Sequence, residues 1–426
     1  MTYRLAEVVA SLMLLAAVAS PYARSGERQG RSVDVTPETF SSALSDAKPG
    51  DTLSLADGAY KGGFSLKASG EQGAYIEIRA RGADAVVDAS GCECGLWLDH
   101  ASWVKVEGIS FRNATRYGLL AEGCTRVEIR NCTFALNSRG IQMVRTQDGV
   151  IEGCDVSGCT RQGAAGVGEF CKDLIIRGNR VHDNDSGAFI LSSDLAVSGG
   201  VVISGVLFEN NVICDNGVKT RAGAALILES VQKSTLRNNL FYGNGRRGIA
   251  MYATPGVASE GQGSSDNRIY NNLVHFRSGE GERCLWIFDG STGNKIKNNI
   301  FIGGTAGVVY IEPSCFDGTE SDYNVIANHR GDILIGDSSE GAPEMIADWL
   351  KRGFDKHSRF AVMPAFADPA TGDFRLKPGS VGIDMGVDLG EDVKADMRGT
   401  PRPQGKACDC GCYETREEAD RAASGG

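Results

Sequence analysis

Apolar and polar positions alternate in a short unit that recurs along most of the chain. In ESVQKSTLRNNLFYGNGRRGIAMY, residues 229–252, an apolar segment is followed by two asparagines, an apolar pair, a Gly-Asn-Gly turn and another apolar segment. A similar order returns in VEIRNCTFALNSRGIQM, LIIRGNRVHDNDSGAFI and KIKNNIFIGGTAGVVY. Short apolar segments bounded by Gly, Asn and Asp turns are typical of β-strands. The pattern therefore predicts a repeated all-β unit.

One position of this unit is nearly always asparagine. With the register set on the second asparagine of the stretch above, the equivalent residues are Cys132, Cys154, Asn179, Asn211, Asn239, Asn272, Asn299 and Asn324. Their separations of 22 to 33 residues are shorter than the units of most helical-pair repeats and propeller blades. Short strands that recur once per unit and stack on their own kind form a parallel β-helix, which is the fold we predict.

The recurring asparagine has a structural explanation. An amide at the same bend of successive coils can bond to the backbone and to the asparagines above and below it, so a buried polar group stays satisfied. Ordinary exposed turn residues would not require such regular recurrence before an apolar pair. We predict a buried ladder, with Cys132 and Cys154 as small apolar members, and assign no catalytic role to its asparagines.

The segments outside the repeat are predicted to cap it or to direct export. Arg4 precedes an apolar run that is too short to span a bilayer and ends in the small-residue pattern AVAS, as in a secretory signal peptide. Helices are predicted in VTPETFSSALSDA, with Thr36 as N-cap, and at residues 345–354. The predicted organisation is a signal peptide at 1–23, a β-helix with an N-terminal cap helix at 24–335, a C-terminal capping segment at 336–415 and a disordered tail at 416–426. We expect a secreted monomer, extracellular or periplasmic, with no integral membrane segment.

Composition narrows the class of protein and its partners. The 426 residues include 56 glycines and 11 prolines, which suits a turn-rich β protein. The formal net charge is −10, so we expect no nucleic-acid partner, and an anionic ligand would need a local basic cleft.

Thirteen cysteines in an exported chain suggest disulfides, and their odd number leaves at least one unpaired. The residues that we expect to form disulfides are Cys92, Cys94, Cys408, Cys410 and Cys412. A zinc site is the alternative for the last three, but their spacing lacks Cys-x-x-Cys pairs and has no nearby histidine.

Two sets of charged residues flank one series of predicted strands. Arginines precede the strands at Arg139, Arg221, Arg247 and Arg283, and acidic residues follow them at Glu122, Glu169, Asp194, Glu229, Asp289 and Glu312. Because strands in a sheet lie about 4.8 Å apart, Glu169, Asp194 and Glu229 are predicted to form a column of carboxylates that repel one another. Calcium prefers several carboxylates at flexible spacing, so we predict Ca²⁺ there. A solvated rim of charges is the alternative.

The repeats, together with AKPGDTLSLADGAY at residues 47–60, resemble the pectate-lyase-like superfamily of secreted right-handed parallel β-helices. That opening is similar to the start of the chondroitinase B and alginate lyase family, and FADPATGDFRLKPGSVGIDMG resembles the closing segment of many bacterial β-helix proteins. The resemblance implies an all-β, right-handed, single-stranded solenoid with a C-terminal capping tail. It does not select one activity, because this scaffold carries lyases, hydrolases, epimerases and non-enzymatic surface proteins.

Lys233 resembles the catalytic lysine of this family. In the chondroitinase B and alginate lyase family a Lys-Ser pair after acidic calcium ligands supplies the base, and Lys233 followed by Ser234 matches that pair. The carboxylate-to-lysine spacing is one residue short. The arginine that the family has at the end of the next strand is absent, and Tyr252 stands in that region. Arg246 or Arg247 can substitute for it from the other edge of the strands, and Tyr252 can act as the acid.

These residues predict a lyase that cleaves a uronate-containing polysaccharide by β-elimination. Lys233, Arg247 and Tyr252 are the candidate catalytic residues, and Arg221, Arg246 and Arg283 are candidates for binding an acidic polysaccharide. Two alternatives stay open: a uronate C5-epimerase, and a non-catalytic carbohydrate-binding or structural surface protein. A polygalacturonase-like hydrolase is disfavoured because none of the five histidines lies in a Gly-His-Gly motif.

Overall fold

A computed structural model describes residues 30–161, 163–256, 261–330, 335–336 and 346–416. The predicted signal peptide lies outside the described residues, as does the predicted disordered tail apart from its first residue, Arg416. No helix within the described ranges is long and apolar enough to cross a membrane.

The chain forms three long sheets, to which successive coils contribute their strands. Sheet 1 contains Ser32–Val35, Thr52–Leu55, Ile76–Ala80, Val104–Glu107, Val127–Arg130, Val150–Glu152, Ile175–Arg177, Leu207–Glu209, Thr235–Arg237, Arg268–Tyr270, Lys295–Lys297 and Glu320–Asp322. Sheet 2 contains Gly58–Lys61, Ala85–Asp88, Ser110–Arg112, Thr133–Ala135, Asp155–Ser157, Arg180–His182, Val212–Cys214, Leu240–Tyr242, Leu273–His275, Ile300–Ile302, Val325–Ala327 and Arg359–Phe360. Sheet 3 contains Phe64–Leu66, Cys94–Asp99, Tyr117–Glu122, Arg139–Val144, Ala165–Val167, Phe189–Ser192, Ala224–Glu229, Arg247–Tyr252, Arg283–Ile287, Val309–Ile311 and Ile335–Gly336.

Every strand pairing within these sheets is parallel, and each sheet adds one strand per coil in chain order. The predicted parallel β-helix is therefore confirmed. Smaller elements complete the fold. They are the pair Ile203–Ser204 and Val231–Gln232, the hairpin Phe366–Asp368 and Asp373–Leu376, the α-helices Phe40–Ser45, Leu195–Ser198 and Ile346–Lys351, and the 3₁₀ turns Pro313–Cys315 and Gly390–Asp392.

The predicted asparagine ladder lies at the bend between sheets 1 and 2. The backbone N–H and the amide Nδ2 of Asn239 donate to Asn272 Oδ1 at 3.1 and 2.9 Å, and Nδ2 also donates to the Phe208 carbonyl at 2.9 Å. Asn272 repeats the same contacts to Asn299. Each asparagine thus bonds both to the next coil and to the preceding one. These residues are fully buried. Cys132 and Cys154 occupy the same column as buried thiols, as predicted.

Two further ladders occupy the other bends and were not predicted. Between sheets 2 and 3, Asn184 donates its N–H to Asn216, which donates to Asn244. Between sheets 3 and 1, Ser234 donates to Asn267, which donates to Asn294. The signal was present in the sequence, because many coils carry two asparagines five residues apart: Asn179 and Asn184, Asn211 and Asn216, Asn239 and Asn244, Asn267 and Asn272, and Asn294 and Asn299.

A short helix covers the N-terminal end of the coil. At the N-terminus the helix Phe40–Ser45 buries Phe40 against Phe64 and Tyr60, with ring centroids 4.5 and 5.4 Å apart. Its N-cap is Thr39, not Thr36 as predicted, because Thr36 accepts the N–H of Thr39 in a turn that precedes the helix.

The C-terminal segment packs on the outside of sheet 2, where Phe374 and Leu376 meet Leu273 and Ile300 in one apolar cluster. It is also tied to the coil by the first asparagine of three Asn-Asn pairs. Asn238 Nδ2 donates to the Ala395 carbonyl at 2.8 Å. Asn271 and Asn298 make the corresponding bonds to the carbonyls of Asp409 and Val387.

The cysteine predictions need correction, because all thirteen cysteines are free thiols in the structure. Cys408, Cys410 and Cys412 are buried in the C-terminal segment, and Cys92 and Cys94 are partly exposed thiols. Cys410 and Cys412 instead pack into the apolar cluster under the C-terminal segment.

Candidate functional site

The outer face of sheet 3 carries three columns of side chains, which include four of the nine predicted site residues: Glu229, Arg247, Tyr252 and Arg283. The strand starts carry Tyr117, Arg139, Ala224, Arg247 and Arg283. The strand centres carry Trp97, Leu120, Gln142, Gly166, Ile190, Ile227, Ala250, Trp286 and Tyr310. The strand ends carry Asp99, Glu122, Val144, Ser192, Glu229 and Tyr252. Strand centres and strand ends lie two residues apart, so their side chains share the outward face while their neighbours fill the core. The strand starts lie three residues before the centres, and Arg247 reaches the same face, where its guanidinium lies over the Trp286 ring.

An aromatic–arginine cluster, made of Tyr252, Phe288, Trp286, Arg247, Arg283 and Tyr310, covers the later coils of this face. Tyr252 stacks on Phe288 with ring centroids 4.9 Å apart, and Phe288 stacks on Trp286 at 4.1 Å. The Arg247 guanidinium carbon lies 3.9 Å from the Trp286 ring centroid. Stacked rings offer an apolar surface, and the guanidinium over the Trp286 ring adds a cation–π contact and a positive charge beside it.

The arginines of the cluster differ in their ion pairs. Glu282 accepts the Arg246 Nε at 2.7 Å, and its other oxygen lies 2.9 Å from Arg247 Nε. Burial lowers the pKa of Arg247, while the Glu282 charge opposes that effect. Arg283 makes no ion pair within the described chain, and its buried Nε has no hydrogen-bond partner there. Its guanidinium lies 5.1 Å from the Tyr310 ring centroid. Arg283 is therefore the arginine best placed to receive an external carboxylate.

Glu229 stands beside this cluster with an unusual environment. Its Oε2 accepts the Ser192 hydroxyl at 2.6 Å. Burial raises the pKa of Glu229, the Ser192 hydrogen bond opposes that shift, and the Asp194 charge adds to it. The carboxyl of Glu229 therefore holds a proton more tightly than a free glutamate does.

Tyr252 is the neighbour of Glu229 on the next strand. Burial, followed by the negative charge of Glu229, raises the pKa of Tyr252 to about 12. Its hydroxyl stays protonated at neutral pH, so it can donate a proton or a hydrogen bond but is a poor base.

The predicted carboxylate column does not form as expected. Ser192, not Asp194, pairs with Glu229. The backbone N–H of Arg145, just past the end of its strand, donates to the carbonyl of Glu169 in the next coil, which places Glu169 beyond the strand end as well. Asp194 instead caps the helix Leu195–Ser198, accepting the N–H groups of Ala196 and Val197 at 3.0 and 3.3 Å. The shift arises because the loops between coils differ in length.

This arrangement bears on the predicted calcium ion. Within the ranges that the structure describes, no group of three or more His, Cys, Asp or Glu side chains could hold a metal ion. Glu169, Asp194 and Glu229 therefore do not fit a shared calcium site, because Asp194 is engaged by backbone donors and lies out of register with Glu229.

Lys233 and Arg221 lie outside the cluster. Lys233 follows the strand Val231–Gln232 in the bend that leads to sheet 1, where its backbone is left-handed, with φ of 49°. Its side chain is exposed, and it makes no hydrogen bond or ion pair to any described residue. Arg221 is exposed in the loop before Ala224–Glu229. Arg246 and Arg247 lie at the other edge of the strands, as predicted.

Sequence reasoning missed Trp286, Phe288 and Tyr310. In RCLWIF, residues 283–288, apolar residues occupy both faces of the strand, so no alternation separates an outward tryptophan from its inward neighbours. The one available signal was the recurrence of aromatic residues beside the arginines.

The fold places the chain in the class of all-β parallel solenoids, and the outer face of sheet 3 carries its arginine and aromatic side chains. The sequence matches the family model described as "Right handed beta helix region" over residues 94–261 and 190–316, which together span more than half of the chain. The chain therefore belongs to the right-handed β-helix family. No curated protein sequence matches it.

Solved structures are similar in fold. The pectate lyase Pel9A has a TM-score of 0.59 and 15% identity, over 92% of this chain and 98% of that one. An alginate lyase from Paenibacillus sp. str. FPU-7 has a TM-score of 0.53 and 18% identity, over 66% of this chain and 97% of that one. PfbA, a surface adhesin of Streptococcus pneumoniae, has a TM-score of 0.54 and 10% identity, over 68% and 80%. At such identities the likeness is one of fold.

Proposed function

We propose that the protein is an exported polysaccharide lyase that binds a uronate-containing polysaccharide on the outer face of sheet 3 and cleaves it by β-elimination. The observation that carries this proposal is Arg283, a guanidinium without an ion pair among the described residues, set beside stacked aromatic rings. A guanidinium in that setting can bind a sugar carboxylate, because Arg binds carboxylates bidentately. Partial desolvation of the surface strengthens such an ion pair.

The reaction requires three groups. Arg283, with Arg247 beside it, binds the uronate carboxylate and stabilises the enolate-like charge that forms when C5 loses its proton. A base takes that proton, the C4–O4 bond breaks, and a C4=C5 double bond forms. Tyr252, protonated and facing the same surface, donates its proton to the leaving O4. We assign the base to Lys233, following its resemblance to the lyase family's lysine.

The proposed mechanism does not include calcium, and chelation tests whether activity depends on it. The three carboxylates predicted to hold it do not converge, so the arginines take the role of neutralising the uronate. Activity that survives chelation is the expected result.

A binding protein without catalysis is the second candidate. It is favoured by the solvent exposure of Lys233 and its lack of a described contact with Tyr252 or Arg247. A surface adhesin among the similar folds is consistent with that reading. An epimerase shares the first proton abstraction and differs in its product.

The test is a turnover and binding screen of the mature chain against alginate, pectate, chondroitin and dermatan. A lyase raises ultraviolet absorbance through the new double bond. Arg283→Gln should lower kcat/KM by about 100-fold or more, because it removes charge stabilisation made chiefly in the transition state. Tyr252→Phe and Lys233→Ala should lower kcat and leave the affinity for the polymer nearly intact.

Arg79→Gln is the matched control, because it removes the same charge from an exposed position on sheet 1. Binding without a double bond across the four polymers would favour the non-catalytic candidate. Full turnover in Lys233→Ala would overturn the assignment of the base. Changed sugar stereochemistry without cleavage would identify an epimerase.

A further inference from the structure

A second set of arginines lies on the same edge of sheet 3, earlier in the coil. Arg116 directly precedes the strand Tyr117–Glu122, Arg139 begins the next sheet 3 strand, and Arg161 lies four residues before the one after that. Together with Arg221, Arg247 and Arg283 they give an arginine at the start, or within four residues before the start, of every sheet 3 strand from Tyr117–Glu122 to Arg283–Ile287 except Phe189–Ser192. In a chain of net charge −10, this one-sided distribution is a local feature and not a consequence of composition.

These early arginines are poorly compensated. Arg116 has a carboxylate partner, Glu93, with Nη1 and Oε2 3.3 Å apart. Arg139 donates Nη1–H to the amide oxygen of Gln142 at 2.8 Å, and its buried Nε has no described hydrogen-bond partner. The exposed Arg161 makes no side-chain hydrogen bond or ion pair within the described chain.

Burial is the main cause that lowers the pKa of Arg139. The charges of Arg161 and Arg116 lower this pKa further, whereas those of Tyr117 and Glu169 raise it. The guanidinium groups therefore repel one another and favour a bound anion.

The spacing along the axis relates this set to the cluster around Arg283. Arg139 and Arg247 occupy the same column, because Ile141, Ala165, Phe189, Leu226 and Ile249 are successive partners in the sheet. Four strand spacings separate them, or roughly 19 Å. The residues between them in that column are Gly163, Gly187 and Ala224, which bring no charge and little bulk. A polymer that runs along the axis can reach both sets of arginines.

We propose that Arg139, with Arg161 and Arg116 beside it, forms a second carboxylate-binding subsite for the same polysaccharide chain that Arg283 binds. The inference depends on the proposed uronate polysaccharide but not on its cleavage. A chain that fills both subsites must span several sugar units, so a trisaccharide reaches one subsite only. The two linked contacts then raise the affinity for the polymer above that for the short oligosaccharide.

The experiment measures calorimetric affinities for alginate and for polygalacturonate, each as polymer and as trisaccharide, at fixed ionic strength. In Arg139→Gln the ratio of polymer affinity to trisaccharide affinity should fall about tenfold, since a charge-assisted pair is lost at one subsite only. Arg161→Gln, at an exposed position that packing does not constrain, should lower the same ratio in the same direction. Arg79→Gln, on sheet 1, should leave the ratio unchanged.

The outcomes separate the two proposals. If the polymers bind and the ratio is the same in wild type, Arg139→Gln and Arg161→Gln, the second subsite is refuted while the site at Arg283 stands. If Arg79→Gln lowers the ratio equally, the effect is one of total charge and the subsite is likewise refuted. If wild type binds none of alginate, pectate, chondroitin and dermatan, the proposed function fails and the subsite fails with it.

Discussion

At the scale of single residues, the environment of Glu229 gives the site its most unusual ionisation. The carboxylate is largely buried beside Tyr252, and the Ser192 hydroxyl is its one described hydrogen-bond donor. A buried carboxylate with one donor costs stability when it ionises, because desolvation disfavours the charge. Groups with perturbed pKa values are concentrated at functional sites, so the environment of Glu229 supports the proposed site on sheet 3.

A pH-dependent stability measurement tests this environment. Because the pKa of Glu229 is raised above its usual 4.5, the native chain binds the proton more tightly than the unfolded chain does. Native stability from this group is therefore lost as pH rises from the unfolded pKa through the raised native pKa. Glu229→Gln lacks that loss, so its free energy of unfolding relative to wild type should increase with pH from about 4.5 upward. Denaturant titrations at several pH values measure the difference.

The control for that titration is Glu71→Gln, at an exposed position near the N-terminal end of the coil. It measures how the removal of a surface carboxylate changes the free energy of unfolding over the same pH range. A difference between Glu229→Gln and wild type that stays constant across pH would mean that the Glu229 carboxyl is not perturbed by folding.

At the scale of the structural element, the asparagine ladders explain why the sequence predicted the fold so directly. The ladder position recurs in nearly every coil, and the apolar pair after it fixes which side of the strand faces the core. The site was harder to predict, because loops of different length separate the coils. Ser192 and Glu229 are strand partners although 37 residues separate them. An error of one or two residues at such strand ends moves a carboxylate out of its column, as happened with Asp194.

The Asn-Asn pairs show two functions at adjacent positions. Asn239 lies inside the ladder, whereas Asn238 is left-handed, with φ of 53°, and binds the C-terminal segment. Asparagine tolerates that conformation better than most residues, since its short polar side chain can bond locally. Periodicity alone reveals the inner asparagine, but it cannot reveal the outer one because its partner lies more than 150 residues away in the chain.

Replacement of a ladder asparagine should be costly. Asn239→Leu removes the acceptor of the Asn211 N–H and Nδ2–H groups and the donor to the Phe208 carbonyl. Buried groups left unpaired cost about 1 to 3 kcal/mol in the free energy of unfolding. Asn239→Cys, which introduces the residue found naturally at the ladder position Cys154, should cost less than leucine does. Urea titrations compare the three proteins, and an Asn239→Leu variant as stable as wild type would contradict the energetic role of the ladder.

At the scale of the whole molecule, the C-terminal segment closes one side of the coil and leaves another open. It covers the outer face of sheet 2 through an apolar cluster and bonds to the bends of sheet 1, while the arginines and aromatic rings of sheet 3 remain on the surface. Coverage of sheet 2 also removes an exposed apolar surface that would promote aggregation. The molecule thus leaves a face with several arginines exposed, on a chain whose formal net charge is −10.

Ile300 tests whether this segment and the coil are one cooperative unit. Its Cδ1 approaches Gly411 and Gly382 of the C-terminal segment, and its side chain is fully buried beneath them. Ile300→Ala should cost about 2 to 5 kcal/mol through the cavity that it leaves. The segment should then become susceptible to limited proteolysis before the coil unfolds, because the lost contacts join only these two parts. Ile296→Ala is the matched control, since Ile296 is equally buried but belongs to the interior of the coil. It should lower global stability without selective cleavage after residue 360, and the same early cleavage in both variants would show that the segment has no local attachment at Ile300.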